Sequence, residues 1–169
     1  MKKCIILQIN YLILICLFIP CVAIAQPICQ IQRFSAYNGL AQRSVTNILQ
    51  DSKGFIWFST WNGLNKFDGY TFKNYKAFPG DGCTLTSNRL AKITQTQTCD
   101  IWCQTYDLRI YLFDSRREKF IDILRPYENE KQQTYAVQNV YTLPKGVSWI
   151  VCDRGAFRID EQAYKAQEG

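Results

Sequence analysis

Five side chains that could contact a ligand follow short β-type segments of the sequence. They are Trp61, Asn62, Tyr106, Arg109 and Arg154. An aromatic ring offers an apolar plane, and amide and guanidinium groups donate hydrogen bonds to hydroxyl oxygens. This combination suits a sugar ring, whose faces are apolar and whose edge carries hydroxyl groups. We therefore predict that these residues bind a ligand, with turn formation, packing between elements and plain solvent exposure as their alternative roles.

The sequence contains no histidine. This excludes Ser-His-Asp and Cys-His nucleophile pairs, histidine metal ligands and a phospho-accepting histidine within the chain. A glycan hydrolase or lyase would instead need positioned carboxylates or a metal ion. The candidate carboxylates lie in turn-like sequences and are Asp51, Asp68, Asp114 and Asp160. We therefore predict a chain with no catalytic site, no cofactor and no metal site.

Residues 1–25 have the features of a secretory signal. Lys2 and Lys3 precede a mostly apolar stretch, and Ala23-Ile24-Ala25 supplies the small residues that signal peptidase accepts. We predict cleavage after Ala25 and export to the periplasm. The alternative is that residues 5–25 remain as an inner-membrane anchor, since this stretch is nearly long enough to span a bilayer. That segment would be the only membrane contact of the chain.

Charge and composition indicate a folded protein without a nucleic-acid partner. Removal of residues 1–25 takes away two lysines and no acidic residue, which lowers the formal net charge from +6 to +4. No run of five like charges occurs, so a nucleic-acid partner is not expected. With 47% hydrophobic and 14% aromatic residues, the chain can bury enough apolar surface to fold.

Eight cysteines are present, three of them within residues 1–25. Lipid attachment to one of these, Cys21, is disfavoured by Pro20 directly before it. Export permits disulfides, yet the other five cysteines are odd in number and form no Cys-x-x-Cys pair. They are Cys29, Cys83, Cys99, Cys103 and Cys152. We expect small buried hydrophobic roles, with Cys99 and Cys103 on one face of a strand, and leave their oxidation state open.

Three segments of the chain align with one another, at residues 45–75, 90–123 and 137–160. The anchors recur every 45 to 47 residues and are Trp57, Trp102 and Trp149; Ile48, Ile93 and Val140; Asp68, Asp114 and Asp160. Periods of this length are typical of propeller blades or of helical repeats. The choice between the two depends on local pattern.

The local pattern favours strands. Residues 55–60 are dense in β-branched and aromatic types, and residues 70–75 alternate with period two. Asn62-Gly63 and Asp68-Gly69 are strong hairpin signals. Four short antiparallel strands per repeat are typical of a propeller blade, so we predict an all-β fold of about 2.7 four-stranded blades forming an incomplete, open propeller.

The predicted organisation follows from this alignment. It comprises a signal at 1–25, a lead-in strand at 26–39, blade 1 at 40–76, blade 2 with its preceding loop at 77–126, partial blade 3 at 127–160 and a tail at 161–169. No clear fourth strand completes blade 3, because the tail is polar and carries helix formers. Trp57, Trp102 and Trp149 are expected in the blade cores. The loops between second and third strands share one rim with the links between blades, which would bring the five candidate residues to that rim.

Residues 51–68, with the sequence DSKGFIWFSTWNGLNKFD, closely resemble the two-component regulator propeller repeat, as does the lead-in GLAQRSV at 39–45. The second repeat retains Asp100-Ile101-Trp102 and Phe113-Asp114, and the third retains Trp149 and Ile159-Asp160. The second and third repeats depart from the motif at Cys103-Gln104-Thr105 and Val151-Cys152. The resemblance implies the exported sensor region of a Bacteroides-type hybrid two-component sensor histidine kinase, which detects glycan fragments and controls polysaccharide-utilisation genes.

Two functional hypotheses remain besides the enzyme. The first is the N-terminal fragment of an extracytoplasmic sensor propeller that binds a ligand, an oligosaccharide, for two-component signal transduction. The alternative is a truncated secreted propeller protein with an interaction or structural role and no specific ligand. Because a propeller needs four to eight blades to close, we expect the open blade ends to be covered by further propeller blades or by self-association.

Overall fold

The computed structural model describes residues 29–78 and 85–168. The predicted signal at 1–25 and the position of Cys83 lie outside the described residues. The chain divides into two compact units at Arg33 and Phe34. Residues 29–33 of the first unit are exposed and have no regular structure.

The second unit contains three antiparallel sheets, as predicted for propeller blades. Blade 1 consists of β1 (Val45–Gln50), β2 (Ile56–Thr60), β3 (Gly63–Phe67) and β4 (Phe72–Tyr75) in that order. Blade 2 repeats the order with β5 (Leu90–Gln95), β6 (Ile101–Thr105), β7 (Ile110–Asp114) and β8 (Lys119–Ile121). Blade 3 has three strands, β9 (Val137–Leu143), β10 (Val147–Cys152) and β11 (Gly155–Asp160). The all-β fold is confirmed.

Two helices and one turn depart from the predicted elements. Helix α1 (Arg125–Lys131) occupies the link between blades 2 and 3, and helix α2 (Glu161–Glu168) follows β11. No strand occurs in residues 29–39, where a lead-in strand was predicted; a single 3-10 turn forms at Ala36–Asn38 instead. The side-chain amide of Asn38 accepts from the Ser35 backbone N–H, which curls the chain locally.

In every blade, an aspartate at the end of the third strand forms a turn that leads into the next element. One carboxylate oxygen of Asp68 accepts from the N–H groups of Tyr70 and Thr71. Asp114 accepts in the same way from the two N–H groups at residues 116 and 117, and Asp160 from those at 162 and 163. In blades 1 and 2 this turn leads to the fourth strand, whereas in blade 3 it caps helix α2.

Apolar cores lie between consecutive blades. The first joins blade 1 to blade 2, where the Trp57 ring meets the Phe113 ring at 5.7 Å. The second joins blade 2 to blade 3, where Trp102 Nε1 donates to Ser148 Oγ at 2.9 Å. Both tryptophans are at most 2% exposed, which confirms that they lie in the core.

Trp149 differs from this prediction, because its side chain is 38% exposed. Successive side chains of a strand point to opposite faces. Ile150, on one face of β10, lies in the core with blade 2. Trp149 therefore lies on the opposite face, which no strand among the described residues covers. Its position matches that of Trp57 and Trp102 in the repeat, each of which is buried against the blade that follows it.

Two of the four described cysteines are buried, as expected for small hydrophobic side chains, and the other two are not. Cys103 and Cys152 are buried, Cys99 is half-buried and Cys29 is exposed, and all four are free thiols. Burial raises the pKa of the Cys103 thiol, which keeps it protonated. Cys99 lies in the turn before β6, at a φ of 68°, so it does not share a strand with Cys103.

Candidate functional site

One rim of the blade stack gathers the loops between second and third strands and the links between blades. The first residue of each such loop donates its backbone N–H to the carbonyl oxygen of the residue that precedes the first strand of the same blade. The three bonds are Trp61 to Ser44 at 3.3 Å, Tyr106 to Arg89 at 3.0 Å and Asp153 to Ala136 at 3.0 Å. Trp61, Tyr106 and Asp153 are thus equivalent positions, which places one side chain per blade at this rim.

Trp61 and Tyr106 lie side by side there, although they belong to different blades. Their ring centroids are 6.1 Å apart and their planes are 84° from parallel, an edge-to-face contact. Trp61 is 45% exposed and Tyr106 53% exposed. The contact fixes the two rings relative to each other while leaving their outer faces open to solvent.

Arg89 completes the group and was missed by sequence reasoning. Its guanidinium carbon lies 5.6 Å from the centroid of the Trp61 ring, in the geometry of a cation–π contact. The available signal was its position one residue before β5, at the end of a link expected on this rim. We refer to Trp61, Tyr106 and Arg89 as the rim cluster.

Asn62 is adjacent to the rim cluster but has structural partners. Its side-chain amide donates to Ala41 O at 3.4 Å, and its backbone N–H donates to Thr60 Oγ1. Gly63, the next residue, has a φ of +98°. A Cβ there would lie 2.3 Å from Tyr75 O, so this turn requires glycine.

Arg109 is held in an ion-pair network with two carboxylates. Its two terminal nitrogens bind the two carboxylate oxygens of Glu128, each at 2.6 Å, and one of them also binds Asp122 at 3.0 Å. Glu128 also accepts from the backbone N–H of Tyr135 at 2.8 Å. The Arg109 side chain is 16% exposed, so its donors serve to fix the link that contains α1. These ion pairs give Arg109 a structural role, and its contact with a ligand stays a prediction.

Arg154 lies in the blade 3 loop and is exposed. Its side chain is 57% exposed, and its nitrogen is 3.6 Å from the Asp153 carboxylate. An exposed ion pair of this kind contributes little to stability. Arg154 therefore stays a candidate for contact with a ligand.

The carboxylates that an enzyme would need are used in turns. Asp51 accepts from the N–H groups of Lys53 and Phe55 and from Trp57 Nε1 at 2.8 Å. The other three form the aspartate turns described above. Within residues 29–78 and 85–168, no group of three or more His, Cys, Asp or Glu side chains could hold a metal ion. In the same part of the chain, no helix is both long and apolar enough to cross a membrane.

A shallow pocket of about 270 Å³ lies at the opposite rim. It is formed by the turns that join first to second and third to fourth strands. Its lining residues are Lys53, Thr98, Cys99, Asp100, Ser115 and Arg116. The Asp100 carboxylate accepts from the Ser115 backbone N–H at 3.1 Å. Asp100 thereby joins the turn before β6 to the turn after β7.

Comparison with known proteins confirms the predicted resemblance. Residues 39–62 match the family model of the two component regulator propeller. A 53-residue segment is 47% identical to Histidine kinase P4 of Formosa agariphila, and it covers 31% of this chain and 4% of that protein.

Two solved structures from B. thetaiotaomicron have the same fold. One is the extracellular domain of a protein described as a hybrid two component system, with a TM-score of 0.63 and 27% identity over 78% of this chain. The other is the extracellular domain of a protein described as a one component system, with a TM-score of 0.56 and 22% identity over 79% of this chain. The chain spans 19% of the length of each.

Proposed function

We propose that this chain is part of an extracytoplasmic sensor propeller that binds an oligosaccharide for two-component signal transduction controlling polysaccharide utilisation. The similarity to extracellular domains of two-component sensor systems supports the sensing role. The observation that carries the ligand-binding part is the exposed pair Trp61 and Tyr106, held edge to face across two blades.

The rim cluster has the chemistry of a carbohydrate contact. The exposed ring faces provide apolar planes against which the C–H groups of a sugar ring can pack. Arg89 beside Trp61 supplies fixed donors for hydroxyl or carboxylate oxygens at the edge of the same sugar. Asn62 and Arg154 are neighbouring contacts in the proposal.

Signal transduction itself would require parts of a longer protein. The similar proteins are several times longer than the portion that this chain matches. We propose that this segment acts without catalysis, and that it works outside the cytoplasm after export through residues 1–25. Its contribution would be recognition of the ligand.

The test is a binding titration of the chain against cello-, xylo-, manno- and galacturono-oligosaccharides by calorimetry. For the oligosaccharide that binds, Trp61→Ala and Tyr106→Ala should each weaken affinity about tenfold, because each removes a stacking surface near the centre of the contact. Asn62→Ala and Arg154→Ala should have smaller effects.

Tyr70→Ala is the matched control, since Tyr70 is 93% exposed in the turn between β3 and β4 at the far end of the strands. It should leave affinity unchanged. Binding that survives both rim substitutions would place the ligand surface elsewhere and remove the rim cluster from the proposal.

A further inference from the structure

Three basic residues lie around the turn that carries Trp61, and we refer to Arg43, Lys76 and Arg89 as the rim cations. Arg43 lies two residues before β1, and the carbonyl oxygen of the residue between them accepts from the Trp61 N–H at 3.3 Å. Lys76 follows β4 and abuts the same turn, since a Cβ at Gly63 would lie 2.9 Å from Lys76 Cβ. Arg89 contacts the Trp61 ring itself, with its guanidinium carbon 5.6 Å from the ring centroid.

The rim cations have no carboxylate partner among residues 29–78 and 85–168, where every ion pair uses other basic side chains. The remaining arginines of this rim are paired. Arg109 binds Glu128 and Asp122, and Arg154 lies 3.6 Å from the Asp153 carboxylate. The positive charge around Trp61 is therefore not compensated by ion pairs within the described chain.

The acidic residue in the rim loops of blades 1 and 2 is Asp107, which follows Tyr106. Its carboxylate accepts from Thr86 Oγ1 at 2.9 Å, and the same hydroxyl lies 2.7 Å from the Tyr111 hydroxyl. Asp107 thus holds the link before β5 and binds none of the rim cations. The described surroundings of Trp61 carry more positive than negative charge, which attracts anions to this part of the rim.

We infer that the ligand of the rim cluster is an acidic oligosaccharide, whose negative group is a carboxylate or a sulfate ester. The inference rests on the proposed function, because it names the class of ligand at the same site. A guanidinium binds two oxygens of such a group through parallel hydrogen bonds. Arg89 would supply these bonds while the sugar ring packs on Trp61, and the other two rim cations would add longer-range attraction. A neutral sugar would gain nothing from this charge.

The test uses calorimetry on the full chain with pairs of oligosaccharides that differ only in charge. One pair is a galacturonate trisaccharide and its methyl ester, and the other is a sulfated carrageenan oligosaccharide and its desulfated form. At least one acidic member should bind at least about tenfold more tightly than its uncharged counterpart. The pair that responds identifies carboxylate or sulfate as the recognised group. Raising NaCl from about 20 to about 500 mM should weaken binding of the acidic member alone.

Substitutions assign this charge preference to the rim cations. Arg89→Gln should lower affinity for the acidic member at least about tenfold and change affinity for its uncharged counterpart less than about twofold. Arg43→Gln and Lys76→Gln should each lower the acidic affinity about threefold. Lys145→Gln is the matched control, because it removes the same charge from an exposed residue in the turn between β9 and β10, at the opposite rim. An unaltered urea unfolding midpoint shows that each variant is folded.

The outcomes separate this inference from the proposed function. Equal binding of the charged and uncharged members, or acidic binding that Arg89→Gln leaves unchanged, would overturn the inference while oligosaccharide binding still stood. Absence of binding to every oligosaccharide, including the neutral series, would overturn both.

Discussion

The guanidinium of Arg109 joins the loop of blade 2 to the link that carries α1. Burial raises the pKa of the Glu128 carboxyl, but the hydrogen bonds from Arg109 and from the Tyr135 N–H outweigh burial, so this pKa lies below its ordinary value. The buried Glu128 carboxylate thus positions both the Arg109 side chain and the backbone of Tyr135, which begins the segment leading to β9.

We predict that Glu128→Gln destabilises the protein by about 3 kcal/mol, because it leaves a buried guanidinium with a reduced charge partner. The measurement is the urea unfolding midpoint at neutral pH. Glu130→Gln, in the same helix, is the matched control: Glu130 is 67% exposed and pairs with Lys131. It should cost less than about 0.5 kcal/mol. Equal effects of the two substitutions would contradict the role given to Glu128.

The lowered pKa of Glu128 also predicts a pH dependence. A carboxyl with a depressed folded-state pKa contributes stability that is present above its unfolded value of about 4.3 and is lost as the pH falls through the folded value. The stability difference between wild type and Glu128→Gln should therefore be constant from pH 7 to about 5 and shrink below about 4.3. A constant difference down to pH 3 would show that the charge of Glu128 is not responsible.

At the scale of elements, the hairpin turns depend on glycine to different degrees. Gly63 and Gly69 both have positive φ, +98° and +101°. A Cβ at Gly63 would lie 2.3 Å from the backbone oxygen of Tyr75, whereas nothing lies within 4 Å of a Cβ at Gly69. Position 63 therefore requires glycine for two reasons, the positive φ and the close approach of the Tyr75 backbone. Position 69 favours glycine only because of its positive φ.

We predict that Gly69→Ala lowers the free energy of unfolding by about 1 kcal/mol, because alanine is strained in the left-handed conformation. Gly63→Ala should cost about 2 kcal/mol more, since a backbone atom of the neighbouring strand must move. Chemical unfolding of both variants measures the difference. If Gly63→Ala were no worse than Gly69→Ala, β4 would have to shift freely relative to the turn.

The strands were predictable because their signals are local. Local composition and alternation indicated strands at residues 55–60 and 70–75, and β2 and β4 cover residues 56–60 and 72–75, next to the predicted Asn62-Gly63 and Asp68-Gly69 turns. Helix α1 was not predicted, because its position depends on the contact between Arg109 and Glu128, which lie 19 residues apart. Trp149 was assigned to the core from its place in the repeat alone, although burial also requires a following blade. The rim contact of Arg89 with Trp61 likewise joins two blades, so the position of Arg89 before β5 indicates the rim but not its partner.

At the scale of the whole molecule, blade 2 shares an apolar core with each of its neighbours, whereas blades 1 and 3 each share one such core within the described residues. All five residues of β6 are buried, whereas β11 alternates exposed and half-buried residues. Because blade 2 has an apolar core on each side, we expect it to be the most stable part of the stack.

We predict that backbone amides in β6 and β7 exchange with deuterium at least about tenfold more slowly than those in β11 and β4, because opening blade 2 disrupts two cores. Hydrogen exchange with mass spectrometry at low protein concentration measures this. Protection distributed evenly over the three sheets would indicate that the blades unfold as one unit.

The aspartate turn at Asp160 has a consequence for how the third sheet is completed. The same acceptor geometry starts a strand after Asp68 and Asp114 and a helix after Asp160, so the residues that follow the turn select the element. Replacing residues 161–168 with the sequence of residues 69–76 should therefore convert the helix into a fourth strand, with a loss of helical ellipticity at 222 nm; retained ellipticity would show that the turn itself selects the helix. The turn would then accept either kind of segment after it, and a blade would gain or lose its outer strand by exchange of the eight residues that follow the aspartate.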